Sequence, residues 1–414
     1  MLVAVKSMTP GQVNPKLRAV QMQPAVHQGQ QGIILTDPLG ITETTLFVPT
    51  ALAPLLPLID GSRDLGTLRT GFELRTGIPL SPRVIENLMS ELDASCLLDN
   101  AHFAQALRSA TQKYRQARSR PPIMAGRSCP GDPRELARLL QGHLDQEPES
   151  PPWAANIRGI ISPHIDFPRG GPVYGSVWAT AAASVKEADL IVILGTDHNG
   201  GEGEITLTRQ SYETPWGIVP TDQDVVDQIA ALAGDDAVFS GELRHRAEHS
   251  VEAALIWSHH LMRDKPCRVV PILCGSFESF IHQKVSPSTS GAVSATIRVL
   301  RETASRRRTV IVAAADLAHV GPAFGDLLPL DLAARARLEA QDRRLLDILR
   351  KADPEAFLGE IRTDGDQRHI CGIPPIYIML AVMAGTEGTS TGYSLCPASE
   401  DGTSIVSICG MVYH

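Results

Sequence analysis

From residue 131 onward the chain alternates short apolar runs with amphipathic stretches, and this alternation constrains its fold more than any other feature. The apolar runs fall at residues 159–162, 190–195, 269–274, 309–314 and 404–411. Helical spacing of apolar residues recurs between them, at 176–185, 222–232, 250–262, 290–304 and 330–351. Strands that are apolar on both faces are typical of parallel sheets covered by helices. We therefore predict a layered α/β domain over residues 131–414, with a mostly parallel sheet and helices on both faces.

The first third of the chain has a different pattern. Residues 1–30 are rich in Gln, Pro and Val without a clear period, and we expect them to form a loosely ordered arm. Residues 31–116 combine short strand patterns with helical ones, at 32–35, 44–48 and 96–98 for strands and at 49–58, 64–76 and 82–92 for helices. This mixture predicts a small α+β domain of the winged-helix type. Residues 117–130 have the composition of a linker.

Composition excludes several classes of protein. The formal net charge of −8 argues against a nucleic-acid-binding surface. The longest apolar run, residues 373–385, contains two prolines and is shorter than the roughly 20 residues that span a bilayer, so we expect a buried element and no membrane association. The N-terminus has no recognisable signal peptide, and the seven cysteines include no C-x-x-C pair. A cytoplasmic protein without a disulfide framework is therefore expected.

Three histidines follow apolar runs of the predicted sheet: His164, His198 and His319. Open α/β sheets bind ligands at the carboxyl ends of their strands. His164 and His198 are separated by about one β-α-β unit, so we expect them at the ends of neighbouring strands. Two imidazoles placed in this way can hold one face of a metal ion and leave the other face open. The spacing does not choose the third ligand among Asp197, His249, Asp316, His319 and Cys371.

Two of these candidates have distinctive surroundings. Cys371 is followed by Gly372 and Pro374, which favour an irregular turn that exposes the thiol, although a lone cysteine is usually a small buried hydrophobe. His249 begins an amphipathic helix, where its segment either caps the helix or places the imidazole at the rim of the sheet. The chain contains neither a G-x-S-x-G nor an H-E-x-x-H motif, which argues against two common classes of hydrolase.

Taken in order, these motifs resemble those of the Memo family, called AmmeMemoRadiSam system protein B in prokaryotes. The similarity extends over residues 121–414, approximately. It is carried by Ser162–Pro163–His164, by residues 194–198, by Glu248–His249–Ser250, by Asp316–Leu317–Ala318–His319, by Ile370–Cys371–Gly372 and by the ending at 408–414. The N-terminal module resembles the small winged-helix or PqqD-like domains that are sometimes fused to such proteins.

The resemblance implies a fold similar to that of class III extradiol dioxygenases, which hold non-haem Fe(II) with two histidines and a carboxylate. A cysteine takes the carboxylate position in Memo proteins, so the resemblance implies His164, His198 and Cys371 as the metal ligands. Because a thiolate favours softer metals than Mg²⁺ or Ca²⁺, Fe(II) is the expected metal, with Cu and Zn as alternatives.

The resemblance also implies catalytic candidates beside the metal. His319 corresponds to the acid–base histidine of a dioxygenase, with Asp316 orienting it, and His249 lines the pocket. The chain departs from the family at three places, where Ile165–Asp166–Phe167, Ser128–Cys129–Pro130 and Ala314–Ala315 replace Ala-Gly-Tyr, Trp-Tyr-Pro and Ser-Ser. We therefore expect the ligands to persist and the lining of the pocket to differ, so the family's substrates do not carry over.

Three functions remain open at this point. The first is a non-haem oxidoreductase that acts on a small or peptide-borne substrate. The second is a metal- or peptide-binding partner of a radical SAM enzyme, without turnover of its own. A zinc hydrolase is the weakest of the three, because no carboxylate stands beside either histidine at helical spacing.

Overall fold

The computed structural model describes residues 14–147, 156–263, 265 and 267–414. The chain folds as two units that divide between Gln116 and Ala117. The N-terminal unit contains an antiparallel sheet of the order β1-β2-β3, formed by β1 (Gln21–His27), β2 (Gln30–Thr36) and β3 (Leu46–Pro49). Its α-helices are α1 (Leu65–Thr76), α2 (Pro82–Ala94) and α3 (Ala101–Gln116). A leucine-rich core that includes Phe72 and Met89 lies within this unit.

The start of this unit differs from the sequence prediction. Strand β1 lies within residues 1–30, which were expected to form a loosely ordered arm; residues 1–13 are outside the described residues. Because β1 is an edge strand with mostly exposed side chains, its sequence carries no apolar alternation, and its hydrogen bonds to β2 define it instead. The strand predicted at 96–98 is reduced to a single bridge between Leu17 and Leu98. Helix α3, which the sequence analysis missed, follows it.

Most of the segment with linker composition packs into the second unit. Arg120 is fully buried, and its guanidinium donates to the carboxylate of Glu252 and to the carbonyl oxygen of Glu248. The backbone N–H groups of Ile123 and Met124 donate to the same Glu252 carboxylate, at 2.9–3.0 Å. Arg120 therefore belongs to a buried ion pair and residues 126–128 form a turn, whereas residues 115–118 are exposed.

The second unit contains ten strands and ten α-helices among its described residues. The strands are β4 (Gly159–Ser162), β5 (Leu190–Thr196), β6 (Ile205–Leu207), β7 (Tyr212–Thr214), β8 (Gly217–Val219), β9 (Arg268–Cys274), β10 (Thr309–Ala314), β11 (His319–Val320), β12 (Gly388–Pro397) and β13 (Ile405–Tyr413). The helices are α4 (Pro133–Leu144), α5 (Phe167–Glu187), α6 (Gln223–Ala233), α7 (Asp235–Phe239), α8 (Ser250–Leu261), α9 (Glu278–Gln283), α10 (Gly291–Arg306), α11 (Leu332–Leu349), α12 (Pro354–Asp364) and α13 (Ile373–Val382).

The centre of the main sheet is parallel, as the alternating pattern predicts. Its order is β11-β13-β4-β10-β5-β9-β6, and β12 pairs with β13. Strands β4, β10, β5 and β9 run parallel to one another. The edges are antiparallel: β6 opposes β9, and β13 opposes β4. The short connection from β12 to β13 permits only an antiparallel pair, because a parallel one needs a longer crossover.

Both faces of the sheet are covered. Along β5, Leu190, Val192 and Leu194 pack into one hydrophobic cluster, whereas Ile191 and Ile193 pack into another on the opposite face. Each such fully buried side chain contributes about 1.5–3 kcal/mol of transfer free energy. The apolar run at 373–385 forms α13, a helix that is buried along most of its length, as predicted. Within the described part of the chain, no helix combines the length and apolarity needed to cross a membrane.

Candidate metal centre

Two of the predicted ligands meet above the end of a third strand. His164 lies two residues beyond β4 and His198 two residues beyond β5, and their ring centroids are 5.2 Å apart. The expectation that they follow neighbouring strands is wrong, because β10 lies between β4 and β5. Strand β10 ends in Ala314, followed by Ala315, and both are fully buried. These small side chains leave room for the two imidazoles to converge across the intervening strand.

The His164 imidazole is fixed by the backbone of that strand. Its Nδ1 lies 2.9 Å from the carbonyl oxygen of Ala314, to which it donates, and its Nε2 lies 3.3 Å from Sγ of Cys371. The backbone N–H of His164 donates to Asp316 Oδ1 at 2.9 Å. Burial opposes protonation of this ring, but the charges of Asp316 and Cys371 outweigh it and raise the pKa of His164 to about 9.

The His198 imidazole is fixed by a buried glutamate. Its Nδ1 donates to Oε2 of Glu248 at 3.0 Å, and its backbone N–H donates to the same oxygen at 3.2 Å. Glu248 Oε1 accepts from the backbone N–H groups of His249 and Ser250 at the start of α8. Burial would raise the pKa of the Glu248 carboxyl, but the charges and side-chain hydrogen bonds of His198 and His249 hold it well below its usual range. Glu248 therefore both caps a helix and orients a candidate ligand.

Cys371 lies in the turn between α12 and α13. Thr196 Oγ1 donates to its carbonyl oxygen at 3.1 Å, and the N–H of Gly372 donates to the carbonyl oxygen of Asp316 at 3.2 Å. A Cβ atom at Gly372 would lie 2.5 Å from that oxygen, so only glycine permits the close approach. Burial opposes ionisation of the thiol, but His164, together with His198, holds the pKa of Cys371 well below its ordinary value.

The structure brings the three predicted ligands into one cluster. Atoms that can bind a metal on His164, His198 and Cys371 all lie within 4.8 Å of one another. His164 is buried and Cys371 is half-buried, and the His198 side chain is 35% exposed, so the cluster is reached from one side. The Nδ1 atom of each imidazole is engaged in a hydrogen bond, which leaves Nε2 as the nitrogen available to bind a metal ion.

His249 lies beside this cluster, as one of its two interpretations predicts. Its ring stacks on that of His198, with centroids 5.2 Å apart and an interplanar angle of 14°, and meets the His164 ring edge-on. Its Nδ1 lies 3.2 Å from Glu248 Oε1. His198, Glu248 and His249 form a second group whose ligand atoms could hold a cation. The segment Glu248–His249–Ser250 therefore both begins helix α8 and places the His249 imidazole at the rim of the sheet, beside the cluster.

Asp316 and His319, which were predicted to form a pair beside the metal, have other partners. Asp316 does not orient His319: its Oδ1 accepts from the backbone N–H groups of His164 and Ile165, and its Oδ2 lies 3.7 Å from His164 Nε2. His319 Nδ1 instead donates to the carbonyl oxygen of Leu317 at 3.1 Å, and its ring meets Phe324 edge-on. The turn after β10 directs the aspartate toward β4, whereas the histidine lies on the short strand β11 beside β13.

A cavity of about 470 Å³ extends from His198 and Cys371 along the carboxyl ends of β5 and β9. Its wall combines apolar side chains, including Phe277 and Ile281, with polar ones that include Asp366 and His282. This volume is within the range of sites that hold small molecules. The departures Ile165 and Phe167 do not line it; both are buried in a hydrophobic cluster.

Sequence reasoning missed the charged residues that support the ligands. From the sequence, Glu248 was identified only as part of a helix cap and of a family motif, and Arg120 was placed in a linker without its partner Glu252. Asp197, one of the eligible third ligands, is instead engaged by Arg244, whose Nε donates to Oδ2 at 2.6 Å. Burial raises the pKa of Asp197, against the opposing charge of Arg244. Glu248 and His198 are 50 residues apart, so no local pattern in the sequence indicates this pair.

The chain is similar to known proteins over most of its length. Residues 120–412 match the family model described as Memo-like protein. A MEMO1 family protein of Aquifex aeolicus is 26% identical over 405 residues, which cover 97% of this chain and 100% of that relative. A MEMO1 family protein of Methanopyrus kandleri is 24% identical over 71% of this chain and 99% of its own length. One of Thermus thermophilus is 26% identical over 78% of this chain and 90% of its own length.

Proposed function

This chain belongs to the Memo family, and from the geometry of its His–Cys cluster we propose that it binds one transition-metal ion through His164, His198 and Cys371. The observation that carries the proposal is the convergence of three ligand atoms within 4.8 Å from three separate parts of the chain. The 3.3 Å between His164 Nε2 and Cys371 Sγ is close to the roughly 3.5 Å expected for a nitrogen and a sulfur ligand of one tetrahedral ion.

The chemistry of the donors fits a soft or borderline metal. Two neutral imidazoles and a thiolate favour Fe(II), Cu(I) or Zn over Mg²⁺ and Ca²⁺. Each imidazole is held by a hydrogen bond at Nδ1, to Ala314 for His164 and to Glu248 for His198, which is the arrangement that orients metal-binding histidines. We propose Fe(II) as the resident metal, on the likeness of the donor set to the two histidines and one further ligand of non-haem iron sites.

We further propose that the loaded protein is a non-haem oxidoreductase. A bound Fe(II) would supply redox chemistry and open coordination positions. Two further histidines would hold and move protons: His319, whose Nδ1 is engaged by the carbonyl oxygen of Leu317, offers Nε2 for exchange, and Glu248 holds His249 at the rim. The cavity of about 470 Å³ would admit a small substrate or the side chain of a peptide.

A second candidate is favoured by the N-terminal unit. The Aquifex aeolicus relative aligns with 97% of this chain, so its similarity includes most of that unit. A separate small unit in the same chain as a candidate metal site agrees with a metal- or peptide-binding partner of a radical SAM modifying system that lacks turnover. In that case the unit would be the winged-helix or PqqD-like module that binds the peptide.

Metal analysis after anaerobic purification tests the proposal. We expect about one metal ion per chain in the wild type and a large loss in Cys371→Ser, with Cys396→Ser as the control because Cys396 lies outside the cluster. Oxygen uptake by the iron-loaded protein supports the oxidoreductase, whereas bound metal without oxygen uptake supports the second candidate. Unchanged metal content in Cys371→Ser would contradict the ligand assignment.

A further inference from the structure

We propose that the buried ion pair of Arg368 and Asp342 positions both Cys371 and His319, a role that rests on the proposed metal function. Arg368 is 4% exposed, and its Nη1 donates to Asp342 Oδ1 at 3.0 Å. Asp342 is fully buried on α11, and its Oδ2 accepts from the hydroxyl of Tyr393 on β12 at 2.9 Å. The guanidinium therefore ties the turn before α13 to a helix and a strand of the same unit.

The backbone of Arg368 is linked to both His319 and Cys371. Its carbonyl oxygen accepts from the backbone N–H of His319, the first residue of the two-residue strand β11, at 2.7 Å. Cys371 lies three residues further along the turn. A displacement of Arg368 would therefore move the thiol and the imidazole together.

The turn that carries Cys371 has little regular structure to hold it. Asp366 and His369 both adopt left-handed backbone conformations, with φ of 57° and 51°, which non-glycine residues seldom adopt unless the surroundings fix them. Asp366 Oδ1 accepts from the N–H of Ile370, and the Arg368 side chain supplies the anchor to the core. Because a planar guanidinium fixes direction as well as distance, an arginine positions this turn more narrowly than a lysine would.

Buried ion pairs contribute little net stability compared with apolar side chains of the same volume, because both charges lose their hydration. Arg368 is hydrogen-bonded to the backbone of His319 and lies three residues before Cys371, so a positioning role explains this ion pair better than a contribution to stability does. The other ligands depend on different anchors: His164 on Ala314 and Asp316, and His198 on Glu248. Loss of the Arg368–Asp342 pair should therefore affect the thiolate ligand selectively.

Anaerobic titration with Co²⁺ alone tests this selectivity, because a thiolate ligand adds a charge-transfer absorption that imidazoles do not. We expect Arg368→Lys and Asp342→Asn to weaken Co²⁺ binding about tenfold or more and to lower the charge-transfer intensity per bound ion. Tyr393→Phe removes one hydrogen bond only and should give a smaller change in the same direction. Arg307→Lys is the control, because Arg307 forms an ion pair with Asp222 just before β10. Its Co²⁺ affinity and charge-transfer intensity should equal those of the wild type.

The outcomes separate the two proposals. A wild type that binds Co²⁺ without charge-transfer absorption contradicts the proposed ligand set. A wild type with that absorption, together with unchanged affinity and intensity in the Arg368 and Asp342 variants, overturns the positioning role alone. Circular dichroism checks the fold of each variant, and if Asp342→Asn does not fold, Arg368→Lys and Tyr393→Phe decide the matter by the same spectrum.

Discussion

Glu248 connects the start of a helix to a candidate ligand through its two carboxylate oxygens. Oε1 accepts from the backbone of α8's first turn, and Oε2 accepts from His198. The carboxylate thereby selects the tautomer of His198 in which Nε2 is unprotonated and free for a metal. His198 and Glu248 are in contact although they are 50 residues apart in the sequence, so the spacing of the candidate ligands along the chain does not reveal this contact.

The first prediction concerns this carboxylate. Glu248→Gln should lower metal affinity by about 10- to 100-fold, because the amide no longer supplies a negative charge to hold the imidazole. The measurement is competitive metal titration against a chromophoric chelator. Glu242→Gln is a matched control, since Glu242 is also a buried carboxylate and accepts from Thr208 rather than from a ligand. Equal affinities in the two variants would show that Glu248 has no role in metal binding.

The second prediction concerns pH. The metal binds neutral imidazole. Because the pKa of His164 is raised to about 9, this histidine is protonated below that pH and must release its proton when the metal binds. The pKa of His198 is likewise raised, by Glu248 and Cys371 against the opposing effect of burial. Cys371, whose pKa is lowered, contributes no further proton near neutrality. Apparent metal affinity should therefore rise from pH 6 to 9, by about tenfold per unit for each proton released.

Calorimetric titration in two buffers that differ in ionisation enthalpy measures the protons released. Between one and two protons per ion are expected near pH 7. An affinity that stays constant from pH 6 to pH 9 would contradict these protonation states.

At the level of elements, the turn from α12 to α13 brings Cys371 to the strand ends. Gly372 permits this approach, since a Cβ there would lie 2.5 Å from the Asp316 carbonyl oxygen and 2.7 Å from Ala315. Both neighbours belong to the segment that follows β10, at the floor of the site. The packing of one turn against one strand end therefore determines the position of the thiol.

The third prediction follows from this contact. Gly372→Ala should displace the turn and lower metal affinity by about tenfold or more, because the new methyl group meets backbone atoms that cannot move away. Gly359→Ala is the control: it lies within α12 with open space around it and should leave affinity unchanged while adding about 0.5–1 kcal/mol of stability. Metal titration and urea denaturation measure the two effects. Wild-type affinity in Gly372→Ala would mean that the turn is more compliant than its contacts indicate.

Sequence patterns predict some elements well for physical reasons. Strands β4, β5, β9 and β10 are apolar on both faces because helices cover both, and the histidines after β4 and β5 are where such sheets bind ligands. The order of the strands is not encoded in that pattern, which is why β10 was not expected between β4 and β5. An exposed edge strand such as β1 also lacks an apolar signature.

The site was only partly predictable from the residues. His164 and Cys371 are 207 positions apart, and their spacing does not choose the cysteine among the eligible ligands; the family resemblance implies it. The orientation of Asp316 toward His164 rather than His319 depends on tertiary packing. Arg120 and Glu252, which are 132 positions apart, form a pair that no local pattern indicates.

At the scale of the whole molecule, the chain consists of two units with separate cores. The Memo match begins at residue 120, close to the division between Gln116 and Ala117. Arg120, with its buried partners, belongs to the second unit, so an independent metal-binding unit should begin just before it.

The fourth prediction tests this division. Limited trypsin digestion should cut first near Arg118, which is exposed, and leave a resistant fragment that begins at Ser119 and retains metal. Arg127 is also exposed, but its turn is held by hydrogen bonds to Met124, so it should be cut later. Mass spectrometry of the time course identifies the fragments. A single resistant species of full length would contradict two separately folding units.

We propose that Cys371 joins His164 and His198 in binding one metal ion. X-ray absorption spectroscopy of the anaerobically loaded protein tests it most directly, since it separates sulfur from nitrogen ligands by distance. We predict one sulfur at about 2.3 Å and at least two imidazole nitrogens at about 2.0–2.1 Å, with the sulfur lost in Cys371→Ser. A spectrum without sulfur, or one that Cys371→Ser leaves unchanged, would show that Cys371 does not bind the metal.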